Sequence, residues 1–313
     1  MHPAFSILFF TTLAGTAQGL IVALAVALLC GVPMGEDFFL QALALGEVLL
    51  VSGLIASFFH LGHKMRAWRA VLMWRTSWMS REVIVMPAFI GLVAVWWLAL
   101  ALHVQGLVIL VMQVLPVVVI LGALGLWYCT AMIYACLRFI REWAHPLTVW
   151  NFVLIGLSSG AVLACALAVS HDERALLALA GPCALGLTLL AGAVRWISLR
   201  RNASLVPVST LQSATGISAK HLVQKSMGMS AGAFNTREFF HGASQAVVKN
   251  TKWFFIIGLF VAPAALSLWA ITQNDPSLWL VIALMQACAL IPERWFFFAQ
   301  ARHPQNLYYQ TVS

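Results

Sequence analysis

One short connection of this chain, HLGHKMRAWRAVLMWRTSWMSRE, runs from His60 to Glu82 between two long apolar runs. His and Glu are the side chains most often used to pass a proton to or from a reacting group. Between them lie Lys64, Arg66, Arg69 and Arg75, with Arg81 next to Glu82, and the indoles of Trp68, Trp74 and Trp78. Read as a helix, the segment puts Trp74, Trp78 and Glu82 on one face at four-residue steps. A basic, aromatic-walled recess of this kind suits a quinone. The ring stacks on indoles, the carbonyl oxygens meet donors, the isoprenoid tail stays in lipid, and an acid or base handles the proton. On this reading His60, Trp74, Trp78, Arg81 and Glu82 form a quinone-binding and proton-transfer site, with Arg81 orienting Glu82 or a quinone oxygen. The plainer reading is a solvated basic connection whose tryptophans anchor it at a membrane surface.

Glu47 stands apart. It lies inside an apolar run, in ALALGEVLLVSG. An ionisable group at such depth is costly and is a functional candidate by default. It can belong to an intramembrane proton path, or be protonated and hydrogen-bonded to a neighbouring helix, with Gln18, Gln113 and Gln286 as available partners. Thirteen residues separate it from His60, about 20 Å along a helix axis, so the two do not share a site. Other chemistries find little support. His60 is alone among the histidines in lying near a helix body, which disfavours haem held by paired histidines. The six cysteines show no CxxC spacing, which disfavours an iron–sulfur cluster or other metal within the chain. No phosphate loop, HExxH or GxSxG stands in a suitable context.

The elements that must carry these residues are apolar runs. Only 9% of the 313 residues are charged and the mean hydropathy is +0.92. The expected fold is an all-α integral membrane protein, a single polytopic domain over residues 1–313, with eight transmembrane helices in two four-helix halves. The spans read as Phe5–Cys30, Phe38–His60, Val83–Leu102, Leu107–Leu137, Leu147–Ser170, Ala175–Trp196, Trp253–Ile271 and Leu278–Phe298. The first has no preceding positive charge and reads as a retained helix. The fourth is too long for one straight span, and Pro116 or Gly122 is expected to kink it. Pro182 and Pro292 are expected at kinks or ends, and Gly15 and Gly19 form a small-xxx-small packing face.

The net charge of +8 is informative by its placement. The connections after spans two, four and six and the C-terminal tail hold every Lys and Arg except Arg174. Positive connections stay in the cytoplasm, so both termini are expected there. Two cytoplasmic stretches then stand out: the basic, aromatic loop 61–81 and the long loop 197–252. The second carries FNTREFFHG, with Asn235, Arg237, Glu238 and His241. Together with Arg66, Arg69 and Arg75 these are the residues expected to dock a partner. Nothing in the charge pattern asks for nucleic acid.

Four segments, in order, carry a resemblance: HPAFS, SFFHLGHKMRAWRAVLMWRTSWMSREV, VQKSMG with FNTREFFHG, and ERWFFFAQARHPQNLYY. Together they resemble the membrane-anchor subunit of dimethyl-sulfoxide-reductase-type molybdoenzymes over the whole chain. The resemblance implies eight helices, a quinone site without haem, and two partners. These are a four-cluster iron–sulfur subunit and a molybdopterin catalytic subunit, which hold the clusters and the molybdenum. The family's quinone-site His and Glu match His60 and Glu82. The sequence departs from the family's common pattern at His63–Lys64, where Arg–Pro is frequent.

A cytoplasmic docking face is similar to the sulfite-oxidising branch of that family, as is the wording of MWRTSWMSREV and ARHPQNLYY. The expectation is therefore an anchor in the bacterial cytoplasmic membrane that passes electrons from sulfite to ubiquinone or menaquinone. The same pocket would also serve a menaquinol-oxidising anchor of an S- or N-oxide reductase. A secondary transporter is the rival from another class. Transporters often show inverted repeats and interrupted helices; no repeat relates the two halves, and Glu47 is the only charge deep in a span.

Overall fold

A computed structural model describes residues 4–59, 61–103, 108–206, 209–223 and 241–304. His60, Asn235, Arg237 and Glu238 lie outside the described residues. The described chain is helical, with eight helices long and apolar enough to cross a membrane. They are α1 (Phe5–Leu29), α2 (Glu36–Phe58), α3 (Trp78–Ala101), a fourth span ending in α4 (Leu115–Ala135), α5 (Pro146–Ser170), α6 (Arg174–Ala203), a seventh span, and α10 (Leu278–Ala299). The seventh span comprises α8 (Gln245–Ile256) and α9 (Ala262–Thr272), and a short α7 (Leu211–Thr215) precedes it.

Proline explains the two irregular spans. The fourth opens with a π turn, Leu110–Val114, and Pro116 follows two residues later. The seventh is joined by a π turn, Ile257–Val261, and Pro263 follows at the same offset. Proline donates no N–H and crowds the carbonyl four residues back, so the chain widens by one residue just upstream. Gly122 lies within the continuous helix α4. A methyl there would meet the Phe89 ring at 3.0 Å, so the glycine serves packing. Pro182 and Pro292 lie inside α6 and α10 and end neither helix.

Packing centres on α1 and α5, the most buried of the described spans. Their crossing is a seam of small residues, because backbones come close only where no side chain intervenes. A methyl on Gly19 would sit 2.0 Å from the Gly156 carbonyl oxygen, and one on Gly160 would sit 2.0 Å from the Gly19 carbonyl carbon. Thr16 and Ser159 share a hydrogen bond of 3.1 Å across it. The GTAQG face therefore has its partner in GLSSG of α5.

Three boundaries differ by five residues or more from those read in the sequence. α3 begins at Trp78, capped by the Ser77 hydroxyl, so Arg81 and Glu82 stand on the helix and not in its approach. The preceding connection is largely a 3-10 segment, Lys64–Met73. α6 continues to Ala203, with Arg200 and Arg201 in its last turn, where cations favour the helix dipole. The seventh span starts at Gln245, so the long connection narrows to 204–244. Two charges assigned to connections are buried instead: Arg195 is 1% and Arg294 is 3% exposed.

Candidate functional site

The start of α3 positions the acid. Trp78 and Glu82, one turn apart, both face α4. Trp78 meets Tyr128 edge to face at 5.3 Å, and the buried Glu82 carboxylate accepts a hydrogen bond from the Thr130 hydroxyl. Glu82 is 8% exposed and makes no ion pair among the described residues. The expected role for Arg81 in orienting it is not what the structure shows. Arg81 lays its guanidinium 4.1 Å over the Trp78 ring and donates to the Trp74 and Arg75 carbonyls, each at 2.9 Å. Because Ser77 starts the helix, Trp74 precedes it and does not share the face of Trp78 and Glu82. It is tied to the site through Arg81 and is itself 52% exposed. Arg66, Arg69 and Arg75 are exposed on the same end.

Thr130 continues into a buried band that no sequence pattern announces. One turn further along α4, Tyr134 stacks on Phe152 of α5, with ring centroids 5.8 Å apart, and meets Phe297 and Phe298 of α10 edge to face. The Arg294 guanidinium lies 4.1 Å from the Phe152 ring centre. Its neighbour Glu293 contacts Arg294 Nε at 3.3 Å and Arg195 Nε of α6 at 2.8 Å. All three side chains are essentially buried. The contacts are Coulombic more than well-aligned hydrogen bonds, and Arg195 Nη2 and Arg294 Nη1 have no hydrogen-bond partner among the described residues. Two cations against one carboxylate leave this group a net positive charge.

The helix geometry thus brings a buried acid and a buried, net-positive triad to the same end of the bundle, linked by Thr130, Tyr134 and Phe152. A buried carboxyl with a hydroxyl partner and no ion pair among the described residues is a functional candidate by default at this depth. A sequence signal for the triad exists: Glu293–Arg294 interrupts an apolar run, as Glu47 does. Standing near the end of its run, the pair reads as the start of a tail.

The other expected residues fall as follows. His241 is described at the close of the long connection, where its ring meets Trp295 of α10 at 5.8 Å, next to the triad. Glu47 is half-buried on α2, at the level of Leu20 and Ile21, against which Gly46 packs. Its Oε2 has no hydrogen-bond partner among the described residues. Gln18 donates to the Ala14 carbonyl at 2.9 Å, and Gln286 donates to Ser158 and the Leu259 carbonyl, so neither serves Glu47. Gln113 is exposed. No cluster of metal-ligating side chains occurs among the described residues.

Known proteins give this arrangement a family. Residues 1–293 match the model of the DMSO reductase anchor subunit (DmsC). The chain is 43% identical to a sulfite dehydrogenase subunit of Allochromatium vinosum, over the full length of both proteins. With both matches spanning essentially the whole bundle, the chain belongs to the DMSO reductase anchor subunit family.

Proposed function

We propose that this protein is the membrane anchor and quinone-reaction subunit of a cytoplasm-facing molybdoenzyme that oxidises sulfite. The observation that carries the reading is the Glu82 carboxyl, buried at the α3 entrance with a hydroxyl partner and no cation. Quinone reduction consumes protons as well as electrons, so its site needs a group that is stable protonated and can be recharged from water. Glu82 meets both needs: it is buried, yet lies one turn from the helix start. Trp78, held by the Arg81 guanidinium, offers a ring face beside it. His60 would be a second proton-handling group. Family membership supports an anchor over a transporter, and the full-length similarity to a sulfite dehydrogenase subunit favours sulfite as the electron source.

Family membership supports a multi-subunit complex. An iron–sulfur subunit would dock on the exposed Arg66, Arg69 and Arg75, with Asn235, Arg237, Glu238 and His241 of the long connection. A molybdopterin subunit would sit beyond it. Those partners supply the electrons; this chain's residues bind the quinone, exclude water and move the proton. The eight spans form two four-helix halves in the bacterial cytoplasmic membrane, with termini, long connection and Glu82 at the cytoplasmic face. A menaquinol-oxidising anchor would use the same residues in reverse, and membership of a family named for DMSO reductase supports it as the second reading. Glu47 is a candidate for an intramembrane proton path.

The test is sulfite-dependent reduction of ubiquinone and menaquinone analogues by purified complex. Turnover with sulfite supports the reading. Turnover only from quinol to an S- or N-oxide supports the second.

A further inference from the structure

A cavity of about 520 Å³ lies at the end of the bundle opposite Glu82. Its walls come from the end of α1, the start of α2, the end of α3 and the π turn of the fourth span, through Leu28, Phe39, Leu40, Leu100, Val111 and Met112. That volume falls in the range of pockets that hold drug-sized ligands. Specific contacts hold the walls in place. Two consecutive indoles of α3 donate in different directions, Trp96 to the Val111 carbonyl and Trp97 to the Leu40 carbonyl, both at 3.0 Å. Trp96 also meets Phe39 edge to face at 5.5 Å. The π turn frees a main-chain carbonyl, and Trp96 takes it, so α2 and the fourth span are pinned to α3 on either side of the space. π turns recur at functional sites.

The mouth is polar. His103 Nδ1 lies 3.4 Å from Glu36 Oε1, with side chains 70% and 56% exposed, and both line the cavity. His103 holds a left-handed backbone, φ 46°, just past the end of α3, a position that glycine or asparagine takes at less cost. The mouth thus sets an imidazole beside a carboxylate, and the carboxylate can accept from a hydroxyl donor. The surrounding charge excludes an anion. Glu36, Asp37, Asp172, Glu173 and Asp275 lie at this end, and Arg174, the one cation there among the described residues, is paired with Asp172 at 3.0 Å.

We infer that this cavity binds an isoprenoid quinol, with a ring hydroxyl at His103 and Glu36 and the apolar body between α2, α3 and the π turn. About 30 Å of α3 separates His103 from Glu82, so the occupant is distinct from any quinone at the Glu82 end. The inference takes from the proposed function only that quinols share this membrane, and its test does not pass through Glu82.

The test is photolabelling of the purified complex with an azido-quinol, followed by peptide mapping. Label is expected on the peptides bearing Met34 and Met112. Leu40→Trp, which fills the space, should abolish it, and Glu82→Gln should leave it unchanged. His103→Ala, at an exposed position, should weaken labelling about three- to tenfold, the range of one hydrogen bond. Label that persists undiminished in both Leu40→Trp and His103→Ala overturns the inference. So does native mass spectrometry that finds an amine-bearing phospholipid, and no quinol, lost on filling the cavity. Normal labelling here with wild-type quinone kinetics in Glu82→Gln would uphold this site and sink the other.

Discussion

The carboxylate of Glu82 on α3 accepts a hydrogen bond from the Thr130 hydroxyl on α4, while the adjacent Arg81 turns away to cover Trp78. Sequence neighbours thus serve different surfaces. The acid faces the bundle, and the base fixes the entrance. This division separates what substitution of each should do to turnover.

Arg81→Ala removes two hydrogen bonds to the Trp74 and Arg75 carbonyls and the cover on Trp78. It should raise the KM for quinone several-fold with little change in kcat, since it frees the ring wall and not the proton carrier. Arg81→Lys should not restore it, because an ammonium cannot both stack flat and reach two carbonyls. Steady-state kinetics with a soluble quinone analogue separate the two parameters.

The buried triad makes an asymmetric prediction. Glu293→Gln leaves two guanidiniums buried without a carboxylate, which should cost about 3–5 kcal/mol and deplete the anchor from membranes. Arg195→Gln leaves a neutral Glu293–Arg294 pair and should be milder. Thermal unfolding in detergent and immunoblots of membranes test the order.

The α1–α5 seam predicts which glycines matter. Gly19→Ala and Gly160→Ala place a methyl inside the opposing backbone and should destabilise by about 1–3 kcal/mol or more. Gly91→Ala and Gly125→Ala meet nothing within 4 Å and should be neutral or slightly stabilising. Unfolding midpoints of the four variants decide it.

Much of this arrangement is legible in the sequence. The eight apolar runs mark the spans, and the GTAQG face marks one half of the central seam. GLSSG, its partner, is hidden because small residues spaced by four announce themselves only against a second helix. Glu82 can be singled out because it stands beside a cluster of charge and indole at an apolar edge. Its partner cannot: Thr130 is a common residue in a long apolar helix, and only the crossing of α3 and α4 brings it to the acid. Arg195 and Arg294 show the limit of charge counting. A cation near a helix end reads as a solvated anchor, and burial against Glu293 is a tertiary fact. Pro116 marks the irregular fourth span in the sequence, but proline alone does not announce a π turn: Pro182 and Pro292 lie inside helices that carry none.

His145 gives a pH-dependent stability. Its Nδ1 accepts the Leu147 N–H at 3.2 Å and caps α5. Burial, and then the nearby Arg201, hold its imidazole below the ordinary value. Above about pH 6.5 both folded and unfolded chains carry it neutral. As the pH falls below that value the unfolded chain takes the proton first, so stability should decline until the folded-state value is passed. His145→Asn keeps a capping acceptor and should flatten this part of the profile in unfolding scans.

The most direct test of the central claim is Glu82→Gln, assayed twice on the same purified complex. Sulfite oxidation with a water-soluble artificial acceptor should match wild type, since the partners' chemistry is untouched. Sulfite oxidation coupled to quinone should fall about a hundredfold, the typical contribution of one positioned acid–base group. Wild-type quinone kinetics in an intact complex would contradict the assignment of Glu82 as the proton carrier.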